Sequence, residues 1–236
     1  MEILKKTVIP GIGILVILWV FLSGGCMITE KDYLRGAERY LKKKYGEEFE
    51  GQYGYYDAGY TLILNPKSNP EWNVAVEYEK KNGRVIFHDN YVAFQLKPEI
   101  EQMIKGIAHP IYGECKVYLI PRVLALKDDW NKESSLSDYL RLRAFGIELF
   151  TYADIGEKEE KLQRFLDACL QKDLKLSRLN FYYMTKEEFD NTRERRIDYI
   201  NSKRVYIVRG VTNYIEKDGI EGYGETDWLE GKGEDR

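Results

Sequence analysis

Few residues in this chain have the type and spacing that chemistry needs. The two histidines stand in His88-Asp89-Asn90 and in His109-Pro110. A His beside an Asp serves a metal or acts as a general base only when both face one way, and successive residues of an extended segment point to opposite sides. The triplet therefore reads as a turn between strands, and His109-Pro110 as a helix end. Asp128-Asp129 and Glu157 to Glu160 gather acidic oxygens, but without the alternating Asp/Asn spacing of a calcium loop. No His-Glu-x-x-His, Gly-x-Ser-x-Gly or phosphate-cradling glycine loop occurs. No catalytic residue, metal ligand or cofactor is assigned on these grounds. The paired carboxylates of a glycoside hydrolase need meet only in space, so a hydrolase stays open as an alternative. Cys115 and Cys169 lie in no Cys-x-x-Cys and beside no histidine. In an oxidising compartment they could form one disulfide; otherwise Cys169, on the apolar face of a helix, is a buried thiol.

Tyrosine is the outlier of the composition, with 19 copies against 9 phenylalanines. Tyrosine covers apolar surface while keeping a polar tip in water. Tyr53, Tyr55, Tyr56 and Tyr60 cluster with glycines in the segment from Gln52 to Tyr60. They are the candidate contact residues for a peptide or carbohydrate ligand. The alternative is a strand and turn whose tyrosines are half exposed.

Thr7 to Gly25 is a run of 19 residues without charge, preceded by Lys5 and Lys6. As a helix it would be roughly 28 Å long, close to the bilayer hydrocarbon thickness. The lysines favour a cytoplasmic N-terminus, so the rest of the chain would lie outside. A basic start, an apolar middle and a small-residue end is the order of a secretory signal. The end of the run, Leu22-Ser23-Gly24-Gly25-Cys26, resembles the lipobox of bacterial lipoprotein precursors. Ser23 stands where that family usually has leucine, with Leu22 one position earlier. The resemblance implies a diacylglyceryl group on the Cys26 thiol and cleavage just before it, leaving residues 1–25 as the signal peptide. An uncleaved transmembrane helix is the alternative anchor. Both readings put the domain on the extracytoplasmic side of the cell membrane.

Formal charge is −3 for the whole chain. Glu2, Lys5 and Lys6 give the first 25 residues +1, so the remainder carries −4. That mild acidity argues against a nucleic-acid partner, which needs a basic stripe to displace counterions. The 44% hydrophobic and 32% charged residues are those of a folded globular protein.

The periodicities after the anchor predict an α+β fold, a mainly antiparallel sheet covered by helices. Residues 26–29 are a tether. Glu30 to Lys44 reads as a helix, with Thr29 and Asp32 at its start, Lys42-Lys43-Lys44 in its last turn and Gly46 as its stop. Thr61 to Leu64, Trp72 to Tyr78 and Val85 to Phe87 read as strands, the last two joined by an Asn82-Gly83 hairpin. Tyr91 to Leu96 is expected to continue the sheet, and Pro98 to open a second helix to Gly106. Lys116 to Ile120 is a strand, and Leu136 to Leu142 a short helix capped by Ser134 or Ser135. Ile147 to Thr151 is a strand, with Ile147, Leu149 and Thr151 on one side and Glu148 and Phe150 on the other. Glu157 to Lys172 is an amphipathic helix, and Leu179 to Met184 a strand. A helix capped by Thr185 and Glu188 runs to about Asn201, and Val205 to Ile215 closes the sheet. The chain then divides into an α+β lobe at 30–123, a second at 136–220 and a flexible tail at 221–236; one continuous sheet is the other arrangement. The first half, with the signal, resembles the small α+β domains of uncharacterised Gram-positive lipoproteins, which implies no active-site motif.

The function expected is a membrane-anchored extracytoplasmic lipoprotein with a non-catalytic binding or structural role toward a protein or cell-wall ligand. An envelope-acting hydrolase and an immunity- or inhibitor-like protein are the alternatives.

Overall fold

The computed structural model describes residues 29–53, 61–122, 125–126, 130–217 and 220–231. It is an α+β fold with two sheets. The anchor run, Cys26, Tyr55, Tyr56, Tyr60 and Asp128-Asp129 lie outside the described residues. Among those residues no helix is long and apolar enough to cross a membrane.

Helix α1 spans Glu30–Tyr45. At its start the Thr29 N–H and hydroxyl both donate to the Asp32 carboxylate, and Gly46 ends it at φ 76°. Tyr33, Ala37 and Leu41 form its buried stripe. They pack on an antiparallel meander of β1 (Phe49–Tyr53), β2 (Thr61–Pro66), β3 (Val74–Lys81) and β4 (Arg84–Asp89). The β3–β4 hairpin turns on Asn82 and Gly83, both at positive φ, as expected from the dipeptide.

The segment expected to extend this sheet, Tyr91 to Leu96, is instead the opening of the 22-residue helix α2, Tyr91–Tyr112. Its short apolar run has no period that separates strand from helix. What decides it is Asp89, whose carboxylate accepts the Tyr91 N–H at 2.9 Å and so satisfies one of the free donors at the helix start. Pro98 and Pro110 both lie inside this helix rather than at its ends. Tyr91 and Phe94 join the core of the first sheet, while Ile100, Ile104, Ile107 and Tyr112 join the core of the second. One helix therefore serves both halves of the molecule.

The second sheet has the order β10-β8-β7-β6-β5, with β9 paired to β8. Its strands are β5 (Cys115–Pro121), β6 (Phe145–Thr151), β7 (Arg178–Tyr183), β8 (Val208–Lys217), β9 (Ile220–Tyr223) and β10 (Asp227–Glu230). All neighbours are antiparallel except β6 and β7. A parallel pair needs a crossover, and helix α4, Lys158–Gln171, supplies it; the short α3, Leu136–Leu142, lies earlier, between β5 and β6. Ser135 caps α3, accepting the Asp138 N–H. One face of the sheet packs on α2 and α4 through Val117, Ile147, Leu149, Phe165, Leu166 and Phe181. Leu170, on α4, is exposed.

The helix after Thr185 is broken where continuity to Asn201 was expected. Helix α5 covers Lys186–Asn191, a 3₁₀ turn follows at Glu194–Arg196, and α6 is Ile197–Lys203. Thr192 is extended and fully buried, and its hydroxyl donates to the Glu188 carbonyl at 2.8 Å. Lys116 on β5 donates to the carbonyls of Phe189, Asp190 and Thr192, where a cation suits the free end of a helix.

The segment expected to be a tail, from residue 221, carries strand structure. β9 and β10 both pair with β8, and the Tyr223 hydroxyl bridges the Leu176 N–H and the Leu174 carbonyl. The Trp228 ring lies over Gly210, its register partner, where an added Cβ would meet it at 2.7 Å. Glycine on one strand thus makes the seat for an aromatic ring on the next.

Candidate functional site

Among the described residues two carboxylates are buried inside sheets, and their surroundings differ. Asp89 ends β4 and is fully buried. It accepts from the Tyr40 hydroxyl at 2.8 Å, the Lys44 ammonium at 2.6 Å, the Tyr45 hydroxyl at 2.7 Å and the Tyr91 N–H. Four donors saturate it and fasten α1 to the sheet. Glu148, on β6, is 7% exposed. It accepts from Asn180 Nδ2 at 2.6 Å and the Tyr182 hydroxyl at 2.5 Å. Burial pushes its carboxyl above the usual range, against the pull of those two donors and of Arg209 and Arg178.

Strand register builds the site. Glu148 pairs with Asn180, and Tyr182 with Arg209, so the four side chains share one face of the sheet. Part of that face is covered by α5 and α6, through Phe150, Tyr182, Met184, Phe189, Ile197 and Ile200. The rest is a cleft of about 690 Å³, lined by Glu148, Asn180, Arg178, Arg122, Arg209 and Asn213 among others. The Arg209 Nη2 donates to Asn180 Oδ1 at 2.9 Å, and its guanidinium stacks 5.4 Å from the centre of the Tyr182 ring. Its Nε is buried without a hydrogen-bond partner among the described residues.

Tyr182 has one phenolic proton and two neighbours, Glu148 Oε2 and Asn201 Oδ1, the second at 2.9 Å. Two arrangements complete the chain. In one, a protonated Glu148 donates to Tyr182, which donates to Asn201. In the other, the Asn201 amide is turned and donates to Tyr182, which donates to an ionised Glu148. A proton on Glu148 is thus coupled to the orientation of an amide on α6.

The residues singled out by type alone fall elsewhere. His88 lies on β4 with its Nε2 3.8 Å from the Glu79 carboxylate, and His109 is exposed in the last turn of α2. Glu157 and Glu159 pair with Lys161 and Lys158 on the surface. Tyr53 lies in β1 opposite Leu62. Among the described residues no three His, Cys, Asp or Glu side chains converge on a metal position. Cys115 and Cys169 are both buried in the core of the second sheet, but as free thiols rather than the disulfide considered for them. Burial pushes the Cys169 thiol up to about 12 and raises Cys115 as well, so both are protonated and inert at neutral pH.

Glu148, Asn180 and Arg209 are not among the candidates that residue types suggest. The available signal was a polar residue set between apolar or glycine neighbours in each of three strands, in Ile147-Glu148-Leu149, Leu179-Asn180-Phe181 and Val208-Arg209-Gly210.

No protein-family profile matches the chain, and no curated protein does. Among solved structures it is similar to the crystal structure of a DUF5037 family protein from Ruminococcus gnavus. The two are 16% identical with a TM-score of 0.47, over 82% of this chain and 94% of that one.

Proposed function

We propose that this protein is an extracytoplasmic lipoprotein, tethered to the membrane through Cys26, whose domain binds a ligand in the cleft above Glu148 without turning it over. The tether rests on the apolar run and on Leu22-Ser23-Gly24-Gly25-Cys26. The observation that carries the binding role is the half-covered face of the second sheet, where polar side chains from three adjacent strands meet in one concavity. Asn180, Tyr182 and Arg209 hold one another and Glu148 in place, which suits a rigid recognition surface.

Intact mass of the membrane-extracted protein, beside a Cys26→Ser variant, tests the tether. The expected native mass is that of residues 26–236 plus a diacylglyceryl group, absent from the variant. Full-length mass in both would replace the lipid with an uncleaved membrane helix.

The raised carboxyl of Glu148 favours a second reading, a hydrolase acting on envelope polymers with Glu148 as proton donor. Release of soluble fragments from purified cell wall, abolished by Glu148→Gln, would establish it and displace the non-catalytic reading.

A further inference from the structure

Across the open end of the cleft the register row runs Ile120, Gly146, Arg178, Asn213 from β5 to β8. Gly146 leaves the floor bare between its two neighbours. Nothing in the fold demands a glycine there. An added Cβ would meet only the Arg178 carbonyl at 3.7 Å and the Arg178 Cβ at 3.8 Å, both ordinary contacts. Its φ does not lie in the left-handed region that Gly46, Gly83 and Gly113 occupy. A glycine inside a strand weakens it unless something must approach the backbone closely.

The charge around that floor is one-sided. Arg122 and Arg178 line the cleft, and among the described residues neither guanidinium makes a hydrogen bond or ion pair. Arg209 lies deeper, with its Nε unpartnered. Glu148 is the one carboxylate among the described lining residues, and its two acceptor contacts are to Asn180 and Tyr182. Among the described lining residues, three cations therefore face at most one negative charge. Guanidinium groups present paired N–H donors whose geometry fits a carboxylate or a phosphate.

We propose that the bare floor at Gly146, flanked by Arg122 and Arg178, is an oxyanion seat that takes the carboxylate or phosphate group of the ligand bound in this cleft. The inference rests on the binding role assigned to the cleft and names the chemistry of its ligand. Carboxylate and phosphate share that chemistry, and separate probes tell them apart.

The test is an amide NMR titration of the full chain in detergent micelles, at ionic strength held constant with chloride. The probes are inorganic phosphate, succinate and a neutral N-acetylglucosamine trisaccharide. The expected result is a saturable shift at residues 146, 178 and 180 with one of the two anions, and which anion responds identifies the group. Arg178→Gln should weaken that binding about tenfold, the loss of one charge-assisted contact. Gly146→Val should weaken it at least as much by filling the floor without altering charge. Lys172→Gln, on the exposed end of α4, should leave it unchanged. Equal binding by native protein and both cleft variants would overturn the oxyanion seat. A shift with the trisaccharide alone, lost in Gly146→Val, would overturn the anion while leaving the cleft as a ligand site. No shift with any probe would remove both.

Discussion

At the scale of single residues, the two buried carboxylates behave as opposites. Asp89 has four donors, while Glu148 has two and a carboxyl raised by burial. A carboxyl whose folded pKa exceeds its unfolded one holds its proton longer in the native state. Its contribution to stability is therefore present below the unfolded value, near 4.5, and is lost as pH rises through the folded value. Glu148→Gln removes this loss. The glutamine can accept from Asn180 through its oxygen and donate to Tyr182 through its nitrogen, releasing the phenol to donate to Asn201. The variant is expected to be more stable than the native protein at pH 7 and equal to it at pH 4, as urea unfolding at the two pH values would show. A variant less stable at pH 7 would contradict the assignment of Glu148 as a desolvated acid. The residue scale is also where the sequence is least legible. Glu148 sits at an alternate position of β6 and looks like an outward, solvated side chain. Only the helices packed over that face, far away in sequence, show that outward here means enclosed.

At the scale of elements, local chemistry reads well and long-range covering does not. The Thr29–Asp32 start and Gly46 stop of α1, the Asn82-Gly83 hairpin, the Ser135 cap and the Thr185–Glu188 start are all visible as short motifs, because each is decided within four residues. Tyr91 to Leu96 misleads because the deciding group, Asp89, has three further partners on another helix. The break at Thr192 misleads because Lys116, from β5, takes the carbonyls that a continuing helix would use. The final strands misled by their glycines. Gly224 and the run after Tyr223 look like a frayed end, yet Trp228 fastens β10 by its ring on Gly210. Gly210→Val should lift that ring and release the strand. Hydrogen exchange at residues 227–230 would rise by about 10-fold or more if roughly 1.5 kcal/mol of aromatic packing is lost. Unchanged protection would show that the backbone ladder alone holds the strand.

At the scale of the whole molecule, the two sheets are joined by a helix that each core needs. With Phe94 in one cluster and Ile104 in the other, melting either core strips a face from α2. Trp72 packs with the first core and Trp130 with the second, so fluorescence from variants retaining one or the other reports each separately. Both should report a single denaturant midpoint. Asp89→Ala leaves the Lys44 ammonium without its carboxylate and should lower stability by about 3 kcal/mol or more, moving both midpoints together. Two separated midpoints would mean that the halves unfold independently. The position of that clasp also sets how the domain answers a pull. Tyr40, Lys44 and Tyr45 hold Asp89 toward the far end of α1, roughly 15 to 22 Å along the axis from Glu30. Force arriving through the chain before Glu30 meets the apolar stripe first, at Tyr33 and then Ala37, and reaches the charged clasp last. A pull from that side loads the helix as a strip of tape is peeled, turn by turn toward the clasp. The ion pair then acts as a stop that protects the sheet and the cleft behind it.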